Sequence, residues 1–222
     1  MATVVLLRHG RTTANAGGVL AGRTPGVELD EVGRDQVRRA RERLAGVALA
    51  EIVSSPLERC RQTAEAVASG RSVTVDDAIT ECDYGQWQGR PLAELAREDL
   101  WSVVQAQPSA ARFPDGESLV EMQARSVGAI RDRDAAVESS HGPSAVWIAV
   151  SHGDIIKSVL ADALGMHLDQ FQRLDVHPAS MSIVRYSTAR PQVLAVNSTA
   201  GDLAWLAAQA SPTVGGGTPT HS

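Results

Sequence analysis

Two apolar runs in this chain stop at the same kind of residue. Thr3-Val4-Val5-Leu6-Leu7 leads into Arg8-His9-Gly10, and Val146-Trp147-Ile148-Ala149-Val150 leads into Ser151-His152-Gly153. Continuous apolar segments of this length, rich in β-branched residues, read as strands buried on both faces, the kind found in parallel sheets. In open α/β sheets, sites lie beyond the carboxyl ends of the strands. Both His-Gly pairs sit at those ends. The pattern predicts an α/β chain whose chemistry gathers along one edge of the sheet.

The remaining sequence supplies the alternation such a sheet needs. Residues 11–29 form a Gly-rich loop. Asp30 is placed to cap a helix to about Leu44, with Val37, Ala40 and Leu44 on one face. Residues 50–53 predict a short strand, broken by Ser54-Ser55-Pro56. Pro56 is placed to start a helix to about Ala68, and 73–75 predict another short strand. Residues 91–107 and 117–137 predict helices, separated by a loop containing Phe113-Pro114-Asp115-Gly116. A strand over 145–150, a helix over 154–164 and strands over 181–186 and 192–196 complete the pattern. Strand and helix alternate, which argues for α/β with a mostly parallel central sheet.

A chain of 222 residues with 43% hydrophobic content suits one domain with a sizeable core. Residues 211–222 hold Gly215-Gly216-Gly217 and two prolines. The expected division is a domain over 1–207 and a disordered tail over 208–222. No stretch approaches the ~20 apolar residues of a membrane span, and no basic region precedes an apolar signal segment. The expectation is a soluble, cytoplasmic protein without a membrane partner. A net charge of −5 gives no footprint for nucleic acid. Cys60 and Cys82 make neither a disulfide framework nor a metal-type C-x-x-C pair.

Four clusters carry potential chemistry. His9 lies between Arg8 and Gly10, and neutral imidazole is a nucleophile. Arginine offers a planar fork of donors suited to phosphate, so Arg8, Arg11, Thr12, Thr13 and Asn15 resemble an anion cradle. Ordinary turn chemistry is the alternative for the hydroxyls and Asn15. Arg59 and Arg61 fall in the first turns of the second helix, where the dipole favours anions over cations. A cation there makes sense when an anion sits between it and the helix end; surface exposure is the alternative, above all for Arg61. Glu81, Asp83, Tyr84 and Trp87 crowd a loop with two glycines. A carboxyl group beside a phosphate has its protonated form favoured by like charge, which suits a general acid. His152 is a second imidazole able to carry positive charge against phosphoryl oxygens.

Taken in order, these blocks resemble the histidine phosphatase superfamily, the phosphoglycerate-mutase-like clan. The likeness runs through Arg8-His9-Gly10 with Thr12 and Asn15, Leu29 to Gln36, Ser54-Ser55-Pro56-Leu57-Glu58-Arg59, and Glu81 with Gly85 to Gly89. It ends with Phe113 to Ser118 and Ser151-His152-Gly153, covering roughly 3–200. The resemblance implies a three-layer α/β/α sandwich. It implies that His9 attacks phosphorus, that Arg8, Arg59 and His152 hold the phosphoryl oxygens, and that Glu81 protonates the leaving group. It also places Arg11, Asn15, Gly22, Tyr84 and Gly153 on the substrate-binding wall. No cofactor and no metal are required.

Within that clan, the cofactor-dependent mutase pattern has an arginine after the acid, a lysine some eight residues after the following tyrosine, and later an arginine pair. Here Cys82 follows Glu81, Leu92-Ala93-Glu94-Leu95 offers no cation, and no Arg-Arg pair occurs between 90 and 137. The single lysine is Lys157. The Phe-Pro-x-Gly-Glu-Ser loop also resembles the shorter phosphatase branch. The expectation is a hydrolase of small phosphomonoesters, with mutase and non-catalytic phospho-ligand binder as alternatives. Cysteine-phosphatase spacing fails, since Ala66 and Gln88 occupy the sixth positions after Cys60 and Cys82. No Walker A loop is present either. Trp87, Trp101 and Phe113 read as either a sugar-stacking wall or core. An exposed edge strand could pair two copies into a homodimer.

Overall fold

In this computed structural model, which describes residues 2–187, 189–203 and 206, β1 (Thr3–Arg8) lies inside a six-stranded sheet. Along the chain follow α1 (Thr13–Ala16), α2 (Glu31–Leu44), β2 (Leu49–Ser54), α3 (Glu58–Ala68) and β3 (Thr74–Val75). Then come α4 (Leu92–Leu95), α5 (Asp99–Ala106), α6 (Leu119–His141), β4 (Val146–Ser151), α7 (Gly153–Ala163), β5 (Met181–Arg185) and β6 (Gln192–Ser198). The spatial order is β3-β2-β4-β1-β5-β6. The pairs β3/β2, β2/β4 and β4/β1 are parallel, and β5 runs antiparallel to both neighbours. The expected mostly parallel sheet is present.

The alternation of side chains along β1 and β4 builds two cores. Val4, Leu6, Trp147 and Ala149 face α6 and α7, meeting Met122, Ile130, Ile156 and Val159. Val5, Leu7, Ile148 and Val150 face α2 and α3, meeting Val37, Ala40, Ala64 and Val67. This is the three-layer α/β/α sandwich. Burying a side chain such as Leu6 or Leu7 contributes roughly 1.5–3 kcal/mol, so a strand anchored on both faces holds its end firmly. Trp147 Nε1 donates to Asp134 Oδ1 at 2.8 Å, satisfying the one polar atom of the largest core side chain.

The helix expected from Asp30 forms as read, with the Asp30 carboxylate accepting from the Gly33 amide at 2.7 Å. Three local readings are corrected. Pro56 does not open α3; Ser55 N–H still pairs with Val150 O, keeping the chain extended, and the helix starts at Glu58. The helix expected over 91–107 is two helices. Glu98 adopts extended backbone between them, and its carboxylate is held by Trp87 Nε1 at 2.8 Å and by Arg90 at 2.6 Å. The break is tertiary, so no glycine or proline marks it. The loop over 11–29 holds α1, closed by a capping box between Thr12 and Asn15. The tail expected over 208–222 lies outside the described residues.

Candidate active site

The register of β1 against β4 pairs Arg8 with Ser151. The next residue of each strand is therefore a histidine, and the two imidazoles become neighbours, with ring centroids 5.3 Å apart. A backbone bond from His9 N–H to Ser151 O at 3.0 Å fixes the pairing. This is why two separate strands end alike: adjacent parallel strands in register deliver their terminal residues to one place.

His9 Nδ1 lies 2.7 Å from Gly10 O. A carbonyl only accepts, so Nδ1 carries the proton and Nε2 keeps its lone pair. Arg59 Nε donates to that Nε2 at 3.3 Å. Burial, then the Arg59 and Arg8 charges, hold the His9 pKa well below the usual imidazole range, so the ring is neutral.

Arg59 enters from the first turn of α3 and is only 1% exposed. Its Nη2 donates to Gly22 O at 2.7 Å and to His152 Nδ1 at 3.2 Å. Gly22 takes φ +52°, a left-handed conformation that presents its carbonyl to the guanidinium, and a Cβ there would lie 2.6 Å from Gln88. Arg8 anchors through Nη1 to Val176 O at 2.5 Å. Arg8 Nε and Arg59 Nη1 are buried without a hydrogen-bond partner. Buried donors are normally satisfied, and two unsatisfied guanidinium N–H groups at one site are a demand for an anion.

His152 caps the start of α7 and is fully buried. Arg59 can only donate, so His152 Nδ1 accepts and Nε2 donates to Ser55 Oγ at 2.8 Å. Burial and Arg59 hold its pKa well below the usual range, so this ring too is neutral. The positive charge that His152 can carry against phosphoryl oxygens therefore requires an added proton. Cys60 Sγ lies 3.4 Å from His152 Nε2, and burial pushes the thiol up to about 12.

Glu81 is not a solvated loop residue: its side chain is 12% exposed and its Oε2 lies 3.8 Å from His152 Nδ1. Oε1 accepts from Cys82 N–H at 3.0 Å. Burial and the Asp154 carboxylate raise its pKa to about 7, against the opposing pull of Arg59 and Arg8. A carboxyl group is thus kept substantially protonated near neutral pH, the property that general acids need.

These groups line one cavity of about 320 Å³. Arg8, His9, Arg59, Glu81, Asn15, Gly22, Tyr84 and Gly153 all belong to its wall; His152 sits directly behind, through its contacts with Arg59 and Glu81. Arg11 does not belong to the wall: Asp30 takes its Nε at 2.7 Å. Arg61 is exposed, as its alternative reading held. Trp87 and Phe113 are core residues, 2% exposed each, with Trp101 stacked on Trp87 at 6.2 Å. They line no part of this cavity. The sequence reading did not place Asp154 and Lys157 of α7, or Asp175 and His177 before β5, at this site. Asp154 follows the second His-Gly directly, and Tyr84 OH donates to it at 2.7 Å. Asp175 and His177 sit in a segment with no motif. Among the described residues, no group of three or more His, Cys, Asp and Glu is placed to hold a metal ion, and no helix is long and apolar enough to cross a membrane.

Residues 4–199 match the histidine phosphatase superfamily (branch 1), and the chain belongs to that family. It is 31% identical over 212 residues to a probable phosphoglycerate mutase, GpmB, of Yersinia pestis (strain Pestoides F), covering 93% of this chain and 95% of that one. Among solved structures, it is similar to a mycobacterial glucosyl-3-phosphoglycerate phosphatase complexed with VO3, at 29% identity and a TM-score of 0.78, covering 88% of this chain and 98% of that one. The alpha-ribazole phosphatase of Shigella flexneri matches at 25% identity and a TM-score of 0.78, covering 90% and 98%.

Proposed function

We propose that this protein is a metal-independent phosphomonoesterase that works through a phosphohistidine on His9. The observation that carries the reading is the state of His9: Nδ1–H is tied to Gly10 O, and neutral Nε2 points its lone pair into a site with two buried, unsatisfied arginine donors. A substrate phosphoryl group takes the donors that Arg59 now spends on Nε2, freeing the nucleophile. Nε2 attacks phosphorus and the P–O bond to the leaving group breaks. Glu81 gives its proton to the departing oxygen, becoming carboxylate. That carboxylate then takes a proton from water, whose oxygen attacks phosphorus. The N–P bond breaks, inorganic phosphate leaves, and His9 and Glu81 return to their starting states. The phosphoryl charge favours uptake of one proton from solvent at His152 Nδ1, in place of the hydrogen bond it accepts from Arg59, and that proton returns to solvent when inorganic phosphate leaves.

A mutase reading draws support from the names of the curated relatives. The cations expected of a mutase directly after the acid, around Leu92 to Leu95 and in a later arginine pair are missing here, and the solved neighbours at 25% identity and above include phosphatases. Hydrolysis is the better reading. The experiment is a screen of small phosphomonoesters, including 3-phosphoglycerate with and without bisphosphoglycerate. Release of inorganic phosphate from one or more substrates supports hydrolysis. Interconversion of phosphoglycerates that depends on bisphosphoglycerate, without phosphate release, overturns it.

A further inference from the structure

The loop from Phe113 to Ser118 touches no part of the cavity, and the mechanism above makes no use of it. Its Glu117 is nonetheless the meeting point of three segments. Glu117 Oε1 accepts from Asp83 N–H at 2.8 Å, from Arg23 Nη2 at 3.0 Å and from Arg125 Nη2 at 2.6 Å. Oε2 accepts from Arg125 Nε at 3.0 Å. The two arginines then converge on the backbone that carries the acid. Arg125 donates to Ala78 O and Thr80 O, each at 2.8 Å, and to Glu81 O at 3.1 Å. Arg23 Nε donates to the same Glu81 O at 2.8 Å. Arg23 also follows Gly22, whose carbonyl holds Arg59.

We propose that Glu117 is the positioning residue of the acid loop: through Arg125 and Arg23 it fixes the backbone of Glu81 and ties that loop to the Gly22 turn that anchors Arg59. The inference rests on Glu81 acting as the general acid. The physical need is plain. Two guanidinium groups sharing one carbonyl oxygen repel each other, and the carboxylate between them supplies the compensating charge and the fork geometry that hold both in place. Residues 78–83 contain no helix turn or strand beyond one short 3-10 segment ending at Ile79. Their carbonyls at 78, 80 and 81 are satisfied by side chains, so the loop's shape depends on those side chains.

The test follows the Glu81 carboxyl by NMR in glutamate-labelled protein, assigned by its loss in Glu81→Gln. Burial is what raises its pKa to about 7, so release of the loop lets the carboxyl reach water and its midpoint falls. Glu117→Gln is expected to lower that midpoint by about one unit or more. Removing a negative charge would lower it without any movement, so Arg23→Met is the deciding variant. Loss of a positive charge alone raises a carboxyl pKa; loss of positioning lowers it. A fall in Arg23→Met supports the proposal, and a rise or no change overturns it. Arg23→Met is a partly exposed change that leaves the Arg125–Glu117 pair intact, which keeps the test available if Glu117→Gln does not fold. In rate measurements, Glu117→Gln is expected to slow phosphorylation by an alkyl phosphate ~10- to 100-fold and by p-nitrophenyl phosphate about twofold or less. Equal loss with both substrates overturns the positioning role. Glu121→Ala removes the neighbouring helix cap and surface pair; it should lower the melting temperature and leave both the midpoint and the substrate ratio unchanged. Wild-type protein without phosphomonoesterase activity defeats the functional reading, while the titration still decides the positioning.

Discussion

His9 Nε2 and Arg59 Nε lie 3.3 Å apart, one at the end of a strand and the other in the first turn of a helix fifty residues on. Burial, followed by the Arg59 and Arg8 charges, keeps the imidazole neutral, and the contact occupies its lone pair. Both side chains are buried, so the proposed attack on phosphorus would need little reorganisation of either. Electrostatic groups held in place before the reaction are the largest single contribution in many enzymes.

His9→Ala should abolish turnover and leave the fold intact. The imidazole contributes one hydrogen bond to a neighbouring carbonyl and one to Arg59, and the strand that carries it is anchored by Leu6 and Leu7 on both faces. Quenching wild-type protein in base during turnover should trap an acid-labile phosphoryl group that maps to position 9. Full activity in folded His9→Ala would remove the phosphohistidine from the mechanism.

Excess EDTA should leave the rate unchanged. The charge that opposes the phosphoryl group is assigned to Arg8 and Arg59, both fixed by carbonyl contacts, and arginine does not lose its proton in proteins. Activity lost to EDTA and restored by a divalent cation would shift the reading to metal-assisted hydrolysis.

The two His-Gly pairs need their glycines for different reasons, and alanine separates them. A Cβ at position 10 would lie 2.7 Å from Gly33 O and 2.8 Å from Val37 Cγ2, where α2 crosses the strand end. Backbone cannot give way, so Gly10→Ala should cost about 1–3 kcal/mol of stability, in the range of overpacked cores. The atoms nearest a Cβ at position 153 belong to the Arg8 guanidinium, at 3.4 Å and beyond, an ordinary contact distance. Gly153→Ala should fold with near wild-type stability and bind phosphate or vanadate more weakly. Denaturant unfolding and inhibition by vanadate, measured on both variants, check the pair; equal instability would refute the distinction.

The sequence made the strand ends legible because burial on both faces leaves an uninterrupted apolar run, and a run that stops at Arg8-His9-Gly10 is visible without any partner. The neighbourhood of His9 and His152 was not derivable in that way. It depends on β4 being inserted next to β1 and on the register Arg8 to Ser151, both properties of the sheet as a whole. Arg59 was legible as an oddity, a cation at a helix start. Glu81 looked like loop because its burial, and the Asp154 charge that adds to it, come from tertiary packing that no local pattern shows. The split between α4 and α5 escaped for the same reason: Glu98 is held by Trp87 and Arg90, not by a helix breaker. Asp175 and His177 reach the cavity from an irregular segment with no periodicity to read.

The Glu81 carboxyl should show itself in both rate and stability. Glu81→Gln keeps the size of the side chain and removes the proton. An alkoxide leaves poorly until protonated, whereas nitrophenolate leaves readily, so the phosphorylation step should fall ~100- to 10,000-fold for an alkyl phosphate and far less for p-nitrophenyl phosphate. Rapid-quench measurement isolates that step from the proposed hydrolysis of phosphohistidine, to which the same proposal assigns Glu81 as base. In wild-type protein the same step with the alkyl substrate should decline as pH rises through about 7, where the acid ionises. The stability consequence has a defined sign. The folded pKa of about 7 lies above the ordinary value of 4.5, so the folded state holds this proton more tightly than the unfolded chain does. The stabilisation is full below 4.5 and is lost as pH climbs to about 7, beyond which a buried carboxylate must be tolerated. Glu81→Gln has no such proton to lose. Its melting temperature relative to wild type should therefore rise between those two pH values and then level off. A relative melting temperature that stays flat across that interval, together with equal rate losses for the two substrates, would take the acid role from Glu81 and pass it to Asp83, the next carboxylate on the same loop.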